Sequence, residues 1–208
     1  MLKTVKNPRM TQDERSARTR DALHEATIAS LMEVGYANTS TLRIAKRAGL
    51  SRGAQSHQYP GKIDLIVAAT DDMFNGFSNE IELLAARLCD GELTLDQFLS
   101  EIWTQMLNGN WFYSSLEMIV AARGDAELQT RLRPLILELH DRFEVIWRRT
   151  FEPCEGCSGD PSATFNLAMN MLRGMAVQAV LRPDEEYYAG MMATLSDILK
   201  GNIRAKRR

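Results

Sequence analysis

Apolar positions recur at helical spacing along nearly the whole chain. From about Thr11–Glu14 to just before Gly35, Leu23, Ala26, Thr27, Ser30, Leu31 and Val34 fall on one side of a helix. Two short segments follow, Thr41–Ala48 and Arg52–Gln58. Ser40 (or Thr39) and Ser51 stand where a hydroxyl can cap each of them. Ile44 and Ala48 lie four apart on the buried side of the first, and Ala45 is small enough for close helix approach. Gly49 sits where a helix ends with positive φ, and Leu50 plugs the corner. Pro60 closes the second segment, because proline cannot continue the helical ladder. A long helix then spans Lys62 to about Leu88, with Ile66, Ala69, Met73, Phe77, Ile81 and Leu84 on one face.

Breaks at Asp90-Gly91-Glu92, Gly109-Asn110 and Gly124-Asp125 separate helices at about Thr94–Asn108, Phe112–Arg123 and Ala126–Phe151. Pro134 sits near the start of the last or kinks it. Beyond the loop Glu152–Pro161 come Ser162–Leu181 and Asp184–Leu199, parted by Arg182-Pro183. No segment alternates for any length as a strand would, so the fold class expected is all-α. The basic end, Arg204–Arg208, reads as solvated.

Two short helices joined by a glycine-cornered turn are a helix-turn-helix. The second helix of such a pair lies in the DNA major groove. An ordinary αα corner has the same outline, but two features weigh against it. The outward face, Arg52, Gln55, Ser56 and His57, carries donors suited to base edges and phosphates. Gly53 lies within a helix, where it costs about 1 kcal/mol relative to alanine; close approach to a DNA backbone is a reason to keep it.

Charge sharpens this picture. The 208 residues carry a formal net charge of only −2, yet residues 1–62 hold 11 Lys/Arg against 5 Asp/Glu. The remainder holds 14 against 22. A basic front on an acidic body is the footprint of a localised DNA-binding face, whose affinity falls with salt. No apolar run approaches the roughly 20 residues of a membrane span. The N-terminus lacks a signal-type segment, so a cytoplasmic location is expected. Lys3, Lys6 and Arg9 belong to a polar arm that reaches phosphates or is merely solvated.

Cys154 and Cys157 form Cys-Glu-Gly-Cys in a loop; Cys89 is the third cysteine. The spacing suits half a zinc site or a redox pair. A second ligand pair is missing, as is the strand–helix setting of thioredoxin-like motifs. No metal and no cofactor is expected. No Ser/His/Asp set, paired carboxylates or phosphate loop points to an enzyme. A thiol-switched regulator or helical redox protein using Cys154/Cys157 is the alternative function.

From Arg20 to Leu65 the chain resembles the DNA-binding domain of the TetR family of bacterial transcriptional regulators. The matching residues are Ala22-Leu23, Ala26, Gly35-Tyr36, Thr39-Ser40, Ile44-Ala45, Ala48-Gly49-Leu50-Ser51, Gly53-Ala54, Tyr59, Lys62 and Leu65. One departure is Ser56, where many members carry an aromatic. The resemblance implies a helix-turn-helix head, residues 1–62, and a helical ligand-binding and dimerisation body, residues 63–208. The DNA-facing set is then Ser40, Thr41, Arg52, Gly53, Ala54, Gln55, Ser56, His57, Tyr59 and Lys62. Arg52, Gln55 and His57 are expected near base edges, and Ser40, Tyr59 and Lys62 on the backbone.

The resemblance also implies a small apolar or amphipathic effector in the body. Candidate lining residues are Trp103, Met106, Leu107, Trp111, Phe112, Met118, Arg123, Phe143, Trp147 and Asn170, although aromatics and methionines at helical spacing are more often plain core. The family pairs its last two long helices, so a homodimer through residues 162–199 is expected on a double-stranded, pseudo-palindromic operator. A dimer suits two half-sites roughly 34–36 Å apart.

Overall fold

The computed structural model describes residues 11–107 and 109–207, and of Asn110 and Trp111 only the backbone. The basic arm at residues 1–10 lies outside this range. Among the described residues the helices are α1 (Gln12–Asn38), α2 (Thr41–Arg47), α3 (Arg52–Gln58), α4 (Lys62–Cys89), α5 (Leu95–Glu101), α6 (Asn110–Gly124), α7 (Ala126–Thr150), α8 (Pro161–Ala179) and α9 (Glu185–Lys200). Helix α5 runs on as a π-helical segment, Ile102–Leu107. The all-α expectation holds, with one addition. Strands β1 (Phe151–Pro153) and β2 (Ile203–Ala205) pair antiparallel, Phe151 opposite Ala205.

The residues to Thr70 and those from Asp71 form two compact units. The division therefore falls inside α4, not before it. Leu65, early in α4, packs with Leu23, Ala26 and Ile44, which ties the first turn of α4 to the head.

In the first unit, Thr11 and Glu14 form a capping box that starts α1: the Glu14 amide donates to the Thr11 hydroxyl at 3.2 Å, and the Thr11 amide to the Glu14 carboxylate at 2.7 Å. Gly35 (φ 71°) breaks the helix where the sequence predicts, but the chain resumes for another turn to Asn38. The α2 end is a Schellman motif. Leu50 N donates to Ala45 O at 2.9 Å and Gly49 N to Lys46 O at 3.2 Å, with Gly49 at φ 67°. Side chains without glycine's freedom strain at that φ.

The second unit is built on an aromatic cluster. The Trp147 ring lies 4.4 Å from Phe165 and 5.7 Å from Phe143, and Phe165 stacks on Phe151 at 4.7 Å (all between centroids). The Trp147 indole N–H donates to Asn166 Oδ1 at 3.0 Å, satisfying its one polar atom. Helix α7 runs through Pro134 without ending there. Pro161 occupies the first turn of α8, where its missing N–H costs nothing. Asp184 caps α9, Glu185 and Glu186 follow in its first turn, and Lys200 ends it, each sign matching the helix dipole.

The basic tail is not simply solvated. Arg204 pairs with Glu152 at 2.8 Å, Lys206 Nζ donates to Arg148 O at 2.7 Å, and Lys206 N to Thr150 O at 2.8 Å. Arg207 reaches Leu88 O at 3.4 Å. These carbonyls end α7 and α4, where helices leave acceptors unpaired. Composition alone could not show that partners for the tail cations gather there.

Candidate nucleic-acid interface and ligand cleft

Helices α2 and α3 are only seven residues each, so their placement rests on caps and a small core. The Ser40 hydroxyl accepts from Arg43 N at 3.2 Å and the Ser51 hydroxyl from Ala54 N at 3.1 Å. Ile44 and Ala45 are buried, with Ala48, Leu50 and Tyr59 packed beside the head core. This leaves Arg52, Gly53, Ser56 and His57 exposed on α3, with Thr41 and Ala54 partly so. Arg43 and Lys46 of α2 are exposed beside them in sequence, two cations absent from the set read off the motif. No acid occurs from Thr39 to Ile63. A Cβ at Gly53 would find its nearest neighbour at 3.8 Å, an ordinary contact, so nothing inside the chain demands glycine there.

Three members of the expected DNA-facing set hold partners within the chain, Gln55 buried and Tyr59 and Lys62 half-buried. Gln55 is 2% exposed, and its amide donates to the Tyr59 carbonyl at 2.7 Å, closing the C-terminal end of α3. It braces the helix rather than presenting itself to a base. The Tyr59 hydroxyl is hydrogen-bonded to His24 Nε2 at 2.6 Å, fastening α3 to α1. Lys62 Nζ donates to Tyr36 O at 2.6 Å and lies 3.9 Å from the centre of the Tyr36 ring, a cation–π contact. Its ammonium secures the end of α1. Ser40 is exposed, with its oxygen engaged as a cap.

In the body, a cleft of about 780 Å³ opens along α5, the π-helical segment, Tyr113 and α9. Trp103, Tyr113, Tyr188 and Met192 give it apolar walls; Asp96, Asp184 and Glu185 add carboxylates. Trp103 and Tyr188 lie 5.5 Å apart between centroids. Tyr188 is buried, and its hydroxyl has no hydrogen-bond partner among the described residues. Buried hydroxyls are ordinarily satisfied, so this one stands out behind the apolar wall. At the cleft edge, Asp96 accepts from Lys200 Nζ at 2.7 and 2.8 Å. Lys200 and then Ser196 hold the Asp96 carboxyl below its ordinary range. The α5–α9 tether therefore persists at neutral pH and is lost as pH falls through that lowered value.

Of the candidate effector contacts among the described residues, only Trp103 lines this cleft. Met106, Leu107, Phe112, Met118, Phe143 and Trp147 are buried, and all but Met118 belong to the main core cluster. They fill the interior because each packs on its neighbours' apolar surface. Arg123 and Asn170 are exposed, and the Asn170 amide donates to Asn166 O at 2.9 Å. The Trp111 side chain lies outside the described residues. Tyr188 is missed from sequence, because at helical spacing a tyrosine ring reads as one more apolar core position.

The profile of the family described as bacterial regulatory proteins, tetR family, matches residues 23–69. The HTH-type transcriptional regulator CymR of Pseudomonas putida is 28% identical over 180 residues, covering 86% of this chain and 88% of its own. Among solved structures, a TetR transcription regulator from Haloarcula marismortui superposes with a TM-score of 0.67 at 21% identity, over 90% of this chain and 100% of its own. The multidrug binding protein EbrR, in complex with imidazole, gives 0.59 at 22% identity, over 85% and 93%.

Proposed function

We propose that this chain, which belongs to the TetR family of bacterial helix-turn-helix transcriptional regulators, is a repressor that binds a pseudo-palindromic operator as a homodimer and lets go when a small apolar or amphipathic molecule enters its body. The observation that carries the DNA side of the reading is the acid-free outward surface of α2 and α3, with Arg43, Lys46, Arg52, Ser56 and His57 all exposed. In this reading Arg52 and His57 reach base edges, and Arg43 and Lys46 meet phosphates.

The cleft beside Trp103 and Tyr188 is the proposed effector site. EbrR, a multidrug binding protein that takes imidazole, supports a small-molecule ligand in this fold. Helix α4 begins in the head and ends in the body, which makes it the element to carry the response. A ligand acts on DNA binding only through different affinities for the two states of such an element.

The test is a gel shift against DNA flanking the protein's own gene, over a salt series. Sequence-dependent binding is expected, and its absence would sink the reading. Arg52→Ala should cost about 1–3 kcal/mol and relax specificity at one position if the arginine meets a base. Lys46→Ala should instead weaken all sequences alike and lower the salt slope by about one.

For the effector, a panel of aromatic and amphipathic compounds is screened by thermal shift. A binder at about 100 times its Kd stabilises by about 2.7 kcal/mol. Ala193→Trp, which fills the cleft, should abolish that shift while leaving operator binding in place.

A further inference from the structure

The loop between β1 and α8 brings Cys154 and Cys157 onto a common target. Cys154 Sγ donates to Lys200 O at 3.2 Å and Cys157 Sγ to Gly201 O at 3.3 Å. These are consecutive carbonyls at the end of α9, so the two thiols share one small region of the surface. Cys157 N also donates to Cys154 O at 3.0 Å, closing a β-turn with Gly156 at φ 79°. In such a turn the first and fourth Cα atoms lie less than about 7 Å apart. Disulfides form across Cα separations of about 4.4–6.8 Å. Both thiols are partly exposed, whereas Cys89 is buried and donates to Thr150 O at 3.8 Å.

We propose that Cys154 and Cys157 are an oxidisable dithiol, and that closing it to an intramolecular disulfide frees the C-terminal end of α9. With a peroxide as oxidant the step is balanced. One sulfur takes an oxygen from the O–O bond to give a sulfenic acid, and the peroxide's other oxygen leaves as water. The second sulfur then displaces that oxygen as a further water, and the S–S bond forms. Both S–H protons end in water, two electrons leave the sulfurs, and the peroxide is reduced.

In the reduced form the thiol hydrogens satisfy Lys200 O and Gly201 O; in the disulfide neither sulfur can donate. The S–H bonds thus favour the dithiol. A pair whose reduced form is stabilised is readily re-reduced, which is the property of a switch rather than of a permanent crosslink. The loop is also joined to the chain beyond α9, because Cys154 N donates to Asn202 O at 3.0 Å. Loss of the two donors should loosen the last turn of α9 and its junction with β2.

The experiment uses the full chain and hydrogen peroxide, followed by alkylation and mass spectrometry. Before oxidation Cys154 and Cys157 should alkylate in the folded protein, and Cys89 only after denaturation. After peroxide the first two should be blocked, with the loss of two hydrogens and a single linked peptide, and dithiothreitol should restore them. Hydrogen exchange should then quicken over residues 198–205. Cys154→Ser, which keeps a hydroxyl donor for Lys200 O, should show neither the link nor the faster exchange. Thiols left free, over-oxidation without a link, or linkage between chains would overturn the dithiol. A link formed with unchanged exchange would overturn the release of α9.

Discussion

Glutamate at both Leu167 and Met171 is expected to leave a folded monomer with little operator affinity. In the single chain the outward stripe of α8 is apolar yet uncovered: Leu167 is 68% exposed and Met171 49%, and Val177 follows on the exposed side. These residues lie opposite the core-facing Phe165, Ala168, Leu172 and Ala176. Ile198 of α9 is uncovered in the same way, and a Cβ at Gly174 or Gly190 would meet nothing within 4 Å. Exposed apolar stripes of this extent mark an interaction surface. Glycines along them allow a second pair of helices to approach closely.

In a two-fold dimer, both substitutions would appear twice, placing four carboxylates in a drying interface. The core side of α8 would be untouched. Losing the second head removes the gain from joining two binding events, on the order of 10²–10⁴ in affinity. Sedimentation would report the oligomeric state, and gel shifts with full and half operators the affinity. A variant that remains dimeric with unchanged affinity would refute pairing through α8 and α9.

The largest loss of stability should come from Trp147→Ala. Trp147 is fully buried among Phe143, Phe151 and Phe165, and its indole bonds to Asn166. Removing so large a buried ring costs about 3–5 kcal/mol, because the surroundings only partly collapse into the void. Guanidinium unfolding followed by circular dichroism should show the midpoint fall. Trp147→Phe should fall between the two. An effector-contacting tryptophan would behave differently: ligand affinity would drop while the unfolding midpoint barely moved.

What the sequence disclosed, and what it hid, follows from how local each signal is. Ser40, Ser51 and Gly49 could be read because a cap or a positive φ is decided within four or five residues. Gln55 could not. A seven-residue helix has barely two turns, too few for periodicity to say which polar side chain is covered, and the amide's partner is a carbonyl four residues on. The described ligand candidates other than Trp103 lie away from the cleft for another reason. The π-helical turn at Ile102–Leu107 departs from 3.6 residues per turn, turning Trp103 to the cleft and Met106 and Leu107 to the core. Nothing in the residue types announces that wider turn. The boundary placed at Lys62 slipped into α4 because Leu65, which looks like any other apolar residue of a long helix, belongs to the head core.

The strand Ile203–Ala205 and the cations after it fasten the carbonyl ends of α4 and α7, while β1 holds the strand in register. Trimming this charged stretch to aid crystallisation would therefore remove a rivet, not a loose thread. Chains cut before Ile203 should tolerate less heat than the uncut protein, even with every aromatic of the interior still in place.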